Sequence, residues 1–204
     1  NTRERKIDTR AFLHRAWLKL NDRTVIELVF LTGGFIFIGF GAFITYIPLF
    51  LKDTFNTPAL IIGLIVGSRA LTGVLVASQL GRLANYFSYR ILIFSSFIAL
   101  ALGMIVVPLA QNQWVLMFSA VCYGGSFGVL RPSLQFLILE HAPEDLRSTF
   151  ASAINFGLRV SQTLSPVCAG LLMIFVSYTQ LYILAAILAS LMACYTLTAV
   201  SLHR

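Results

Sequence analysis

At 204 residues, 58% hydrophobic and only 11% charged, the chain falls well short of the charged fraction of about 25% typical of soluble domains. Its formal charge of +7 is concentrated at the ends of long apolar runs, which argues against a nucleic-acid-binding surface and points to topology and anionic headgroups. Those runs are apolar on consecutive positions, so the alternating strands of a membrane β-barrel are excluded as well.

Windows of about 20 residues predict six transmembrane helices, over 25–51, 59–80, 91–110, 114–139, 149–174 and 181–202. The fold class is therefore all-α: a polytopic six-helix bundle over residues 25–204, preceded by a basic linker over residues 1–24. In that linker Phe12, Leu13, Ala16, Trp17 and Leu20 share one helical face, whereas Arg10, His14, Arg15 and Lys19 lie elsewhere. Residues 8–22 read as an amphipathic helix lying on the cytoplasmic membrane surface, with a disordered basic linker as the plainer alternative. The opening NTRERKIDTR has no initiating Met and no apolar signal core, and reads as the middle of a longer chain.

Basic residues set the orientation. Arg3, Arg5, Lys6, Arg10, Arg15, Lys19, Arg23, Arg82, Arg90, Arg147 and Arg204 fall on one side of the predicted spans, and Lys52 alone on the other. The positive-inside rule then puts both termini in the cytoplasm.

The first span is rich in glycine (Gly33, Gly34, Gly39, Gly41), which suits close helix packing in lipid, and Pro48 near its outer end marks a bend. The second, fourth and fifth spans each carry one polar stripe at helical spacing: Arg69, Thr72 and Gln79; Gly124, Gly128, Arg131 and Gln135; Ser152, Asn155, Arg159, Gln162 and Pro166. The third and sixth have no ionisable residue and are expected to face lipid. Two triplets, each closed by a bland helix, fit the inverted three-helix repeats of transporters.

Arg69, Arg131 and Arg159 are the residues that most need a reason. A guanidinium at mid-membrane costs about 2.5 to 3.5 kcal/mol even on lenient insertion scales. No carboxylate of this chain lies at their depth: Glu27 is at the cytoplasmic edge, and Glu140 follows Arg131 by roughly 13 Å along a helix. Three explanations stand open. The arginines pair with helix carbonyls or with carboxylates outside this chain, they contact an anionic or carboxylate-bearing substrate, or they snorkel to the interface. Arg131 and Arg159 lie at similar depth and are expected to converge on one site. The candidate cavity set is Arg131, Gln135, Arg159, Asn155, Gln162 and Arg69.

Nothing in the chain matches catalytic or metal-binding chemistry. HExxH and paired buried carboxylates are missing; Cys122, Cys168 and Cys194 read as small packing residues, and His14, His141 and His203 are scattered at membrane edges. No cofactor is expected.

The segment GRLANYFSYR, Gly81 to Arg90, resembles the cytoplasmic loop signature of the major facilitator superfamily, in which Gly opens the loop and an acid and several basic residues follow. Gly81 and Arg90 match; Asn85 stands for the acid, Tyr86 and Tyr89 for basic residues, and Ser88 for the second Gly. LEHAPEDLRS, followed by a helix bearing SQTLSPVCAGLL, is similar to the stretch joining the tenth and eleventh helices of that superfamily, with Pro143, Arg147, Pro166 and Gly170 in place. The resemblance covers the whole chain as the C-terminal six helices. It implies a secondary active transporter half, closest to exporters of small organic molecules, working by alternating access and drawing on a proton gradient through groups outside this chain. It also implies a bacterial inner-membrane location, an N-terminal six-helix half as partner, membrane lipids and a small-molecule substrate. Arg131 and Gln135 would line the cavity, with Arg69 and Arg159 nearer the interface between halves. Gly81, Arg90, Glu140 and Arg147 would form a cytoplasmic gate, with Glu140 positioned to pair with Arg147. The alternative is a six-helix membrane protein that works as a homodimer or does not transport.

Overall fold

The computed structural model describes residues 22–198, and these form helices joined by short turns. We label the long helices α1 (Arg23–Phe55), α2 (Ala59–Tyr86), α3 (Tyr89–Val106), α4 (Val115–His141), α5 (Arg147–Met173) and α6 (Tyr178–Thr198). All but α5 are both long and apolar enough to cross a membrane. With 27 residues, about 40 Å of helix, α5 has the length, but its polar stripe dilutes its hydropathy. The surface helix expected over residues 8–22 falls almost wholly outside the described residues, as does the end of the sixth predicted span beyond residue 198.

Side chains at the turns explain where the helices begin and end. Asp22 Oδ1 accepts from the backbone of Thr24 at 3.0 Å and opens α1, and Asn56, left-handed at φ 48°, closes it. Ser88 caps α3, and Asn112 Oδ1 accepts from Trp114 N and Val115 N at the start of α4. The third helix stops at Val106 rather than near Ala110, because Pro108 has no N–H with which to continue the helical hydrogen bonds.

Between Gly39 and Ile44 the backbone of α1 widens to a π-helix before returning to α-helix at Thr45. Pro48 supplies one cause: its ring has no N–H and crowds the carbonyl four residues earlier, that of Ile44. Side chains take up the carbonyls loosened nearby. Thr45 Oγ1 donates to Phe40 O at 2.8 Å, and the Ser165 hydroxyl of α5 donates to Phe37 O.

One expectation is corrected here. The segment Gly81 to Arg90 is mostly helical rather than a loop: α2 runs on through Gly81 to Tyr86, and Arg90 lies in the first turn of α3. Leu83 and Ala84 favour helix and nothing breaks it before Phe87, so only Phe87 and Ser88 form the turn.

The packing has an internal two-fold pattern. Helix α2 lies along α4 as α1 lies along α5, α1 meets α4, and α3 packs on α6. Each pairing relates a helix of the first triplet to one of the second, as a 3+3 repeat requires. The centre of the bundle is aromatic, with Phe35, Phe43, Phe97, Tyr123 and Tyr182 fully buried. The bland helices bury a face as well: Phe97, Leu100 and Met104 of α3, and Tyr182, Ala185, Ala189 and Ala193 of α6. In contrast α2 buries little of its apolar stretch, about 11%, and exposes Leu60, Leu71, Val74 and Leu75.

Candidate functional site

A close helix approach borders a polar recess. Gly73 of α2 meets Gly124 and Gly128 of α4, and a Cβ on Gly124 would strike the backbone of Arg69. On Gly128, a Cβ would lie 2.5 Å from Gly73 O and 3.1 Å from Ala77 N. Glycine is needed at both positions because only a bare backbone lets the two helices come this close. Beside the crossing, the helices part into a cleft of about 470 Å³. Arg69, Gly73 and Ala77 line it from α2, and Phe127, Arg131 and Gln135 from α4.

Two guanidiniums stand over one aromatic wall. The Arg69 Cζ lies 5.4 Å from the centroid of Tyr123 and 5.7 Å from that of Phe127; the Arg131 Cζ lies 5.5 Å from Phe127. The electron-rich ring faces attract both cations; Arg69 is half-buried there and Arg131 is exposed. The rings in turn rest on α1: Tyr123 is 4.6 Å from Phe43 between centroids, and Phe127 is 5.9 Å from Phe35. The arginines are not fully satisfied by these contacts. Arg69 Nε is shut off from solvent and has no hydrogen-bond acceptor, while the buried Tyr123 hydroxyl lies close enough to interact with the Arg69 guanidinium. Among the described residues no carboxylate comes within ion-pair distance of Arg69 or Arg131.

The structure regroups the predicted residues. Arg131, Gln135 and Arg69 share the α2–α4 cleft, whereas Arg159 does not join Arg131. It sits exposed on α5, where Nη1 donates to Gln162 Oε1 at 3.3 Å, with Asn155 exposed on the same helix. The reason is the packing: α5 lies along α1, whereas α4 lies along α2. Similar depth does not put two helices side by side. A second recess of about 450 Å³ between α1 and α5 is apolar, lined by Phe30, Ile154 and Leu158 among others, and includes neither Arg159 nor Gln162. Thr72 is bonded to Ser68 O within α2, and Gln79 is exposed and accepts from Arg82.

The cytoplasmic candidates do not assemble into one pair. Glu140 and Arg147 are both exposed and are not within ion-pair distance of each other, because the turn Ala142 to Leu146 separates their helices. Gly81 is exposed with open space around it, and Arg90 is partly buried at the start of α3. Glu27, placed at the cytoplasmic edge of the first span, is buried and takes the Arg23 Nε at 3.0 Å. Tyr123 and Phe127 were missed as site residues. Their signal was present, since Tyr123, Phe127, Arg131 and Gln135 recur every four residues along one face of α4.

Comparison with known sequences decides the family: the Major Facilitator Superfamily profile matches residues 29–203. The chain belongs to that superfamily. Among curated proteins it is similar to the "Quinolone resistance protein NorA" of Staphylococcus aureus strains Mu50, N315 and COL, at 30% identity over 122 residues. That match takes in 60% of this chain and 30% of each relative, so the chain spans well under half the length of the curated relatives it matches. Members of that superfamily are membrane transporters rather than enzymes, and among the described residues of this chain five helices are long and apolar enough to cross a membrane. Its polar cleft lies near mid-helix, Arg69 about 15 Å from the start of α2 and Arg131 about 15 Å from the end of α4.

Proposed function

We propose that this chain is the C-terminal six-helix half of a bacterial inner-membrane exporter, both termini cytoplasmic, moving a small organic molecule by alternating access. The observation that carries the reading is the α2–α4 cleft, where Arg69, Arg131 and Gln135 meet near mid-helix among apolar side chains. Holding such groups in hydrocarbon is costly, and a substrate pathway is the usual function that retains them. The exposed apolar face of α2, with Leu60, Leu71, Val74 and Leu75, and that of α5, with Phe156, Leu164 and Val167, suit a second six-helix bundle as partner. The direction, export, rests on similarity to proteins named for quinolone resistance.

Proton coupling belongs to the same proposal, with the proton carried by groups outside this chain. Gly81, Arg90, Glu140 and Arg147 lie at the cytoplasmic ends of α2 to α5, where a gate between halves would close. The test is substrate efflux by the complete protein in proteoliposomes, with and without a proton gradient. Arg131→Ala is expected to cut gradient-driven efflux by about tenfold or more, the loss of one charged contact to substrate. Unchanged efflux in that variant would overturn the site, and gradient-independent flux would overturn the coupling.

A further inference from the structure

We infer that the α2–α4 cleft selects amphiphilic organic anions, a carboxylate or similar single anionic head on an apolar body. The inference rests on the transport reading for its biological sense, but its physical basis is separate. Two permanent cations, Arg69 and Arg131, border one recess in which the described residues place no carboxylate. Both guanidiniums stand within 6 Å of the Phe127 ring centroid, so an anion placed over that ring edge is reached from two sides. The quadrupole of the ring attracts cations but offers their N–H groups no lone pair, and the solvent-inaccessible Arg69 Nε has no acceptor. A buried charged donor without an acceptor is unfavourable, so the site gains when a ligand supplies one. A carboxylate does this best, because its two oxygens match the planar donor fork of a guanidinium.

The remaining walls state what the rest of the ligand is. Ala70, Val74 and Ala77 of α2 and Pro132 of α4 are apolar, and Gln135 is the one neutral polar group among the lining side chains. A cleft of about 470 Å³ is in the size range of small-molecule sites. A cationic amphiphile would meet two like charges with no counter-charge from the described residues, and a neutral one would offer an acceptor without the negative charge that strengthens a bond to a guanidinium. Phe127 is the positioning residue, since one ring orients both cations.

The same head-and-body chemistry is found in soluble aromatic carboxylates and in anionic lipids, and the test separates them. The complete protein in phosphatidylcholine nanodiscs is titrated with 2-naphthoate, 2-naphthamide and 2-naphthyl-trimethylammonium, binding being read by calorimetry. Naphthoate is expected to bind at least tenfold tighter than either other probe, and Arg69→Gln and Arg131→Gln each to reduce its affinity about tenfold. Arg69→Lys keeps the charge and is expected to lose less than Arg69→Gln, which separates recognition from misfolding; each variant is also checked for a monodisperse elution profile. Phosphatidylglycerol added to the nanodiscs decides the source: displacement of naphthoate assigns the cleft to a lipid head, and undiminished binding assigns it to a soluble anion. Equal affinity for naphthoate and naphthamide, or affinity unchanged in both glutamine variants, would overturn the inference. A protein that binds naphthoate as expected yet moves no solute in proteoliposomes would overturn the transport reading alone. One that transports but prefers the ammonium probe would overturn the anion assignment alone.

Discussion

At the scale of single residues, the glycines divide by what surrounds them. Gly124 and Gly128 face the backbone of α2, which cannot move aside as a flexible side chain would, whereas Gly63 and Gly67 have open space about them. Alanine gains up to about 1 kcal/mol over glycine inside a helix, so the surroundings decide the sign. Gly63→Ala and Gly67→Ala are expected to leave the melting temperature unchanged or slightly raised. Gly124→Ala and Gly128→Ala are expected to lower stability by about 1 to 3 kcal/mol, because the helices must part to admit a methyl group. Thermal unfolding in detergent measures both pairs, and a destabilised Gly67→Ala or an unaffected Gly128→Ala would contradict the reading. The sequence showed these glycines but not their division, since spacing identifies a face and says nothing of what presses on it. Arg131 and Gln135 were legible as cavity candidates for the same reason that Tyr123 and Phe127 were overlooked: an ionisable group in an apolar run stands out, and an aromatic does not.

At the scale of elements, α1 is the helix whose regularity is most disturbed. Three features converge on one stretch: Pro48, the π-helix Gly39–Ile44, and the Ser165 hydroxyl reaching from α5 to Phe37 O. Ser165 is fully buried, so removing its hydroxyl leaves a carbonyl without that donor in a region with no water to replace it. Ser165→Ala is expected to cost about 1 to 2 kcal/mol, read as a fall of several degrees in melting temperature. Thr163→Ala two residues earlier is the control, because Thr163 is exposed and bonds only to Arg159 O within its own helix. Equal effects in the two variants would show that the inter-helix bond contributes nothing particular. Pro48 was visible in the sequence as a bend, while the π-helix before it was not, because it depends on partners contributed by α5.

At the scale of the whole molecule, topology is the claim with the clearest test. In a variant with Cys122, Cys168 and Cys194 replaced by alanine, Lys52→Cys is expected to react with an impermeant maleimide added outside intact cells. Arg82→Cys and Arg147→Cys are expected to react only after the membrane is permeabilised. All three side chains are exposed at helix ends, so reactivity reports sidedness rather than burial. Labelling of Arg147→Cys from outside would invert the orientation read from the basic residues.

The linear order of residues determined the class of molecule, because the length of an apolar run and the cost of burying charge in lipid are properties each segment carries by itself. It determined the family in the same way, through Gly81, Arg90, Pro143, Arg147, Pro166 and Gly170 at their spacings. Which helices touch was decided only in three dimensions. Arg131 and Arg159 lie at matching depths, yet α5 packs along α1 and α4 along α2, so Arg131 meets Arg69. Neighbourhood in a bundle is set by the fit of helix surfaces, here by Gly73 against Gly124 and Gly128, and that fit has no counterpart in the pattern of any one segment.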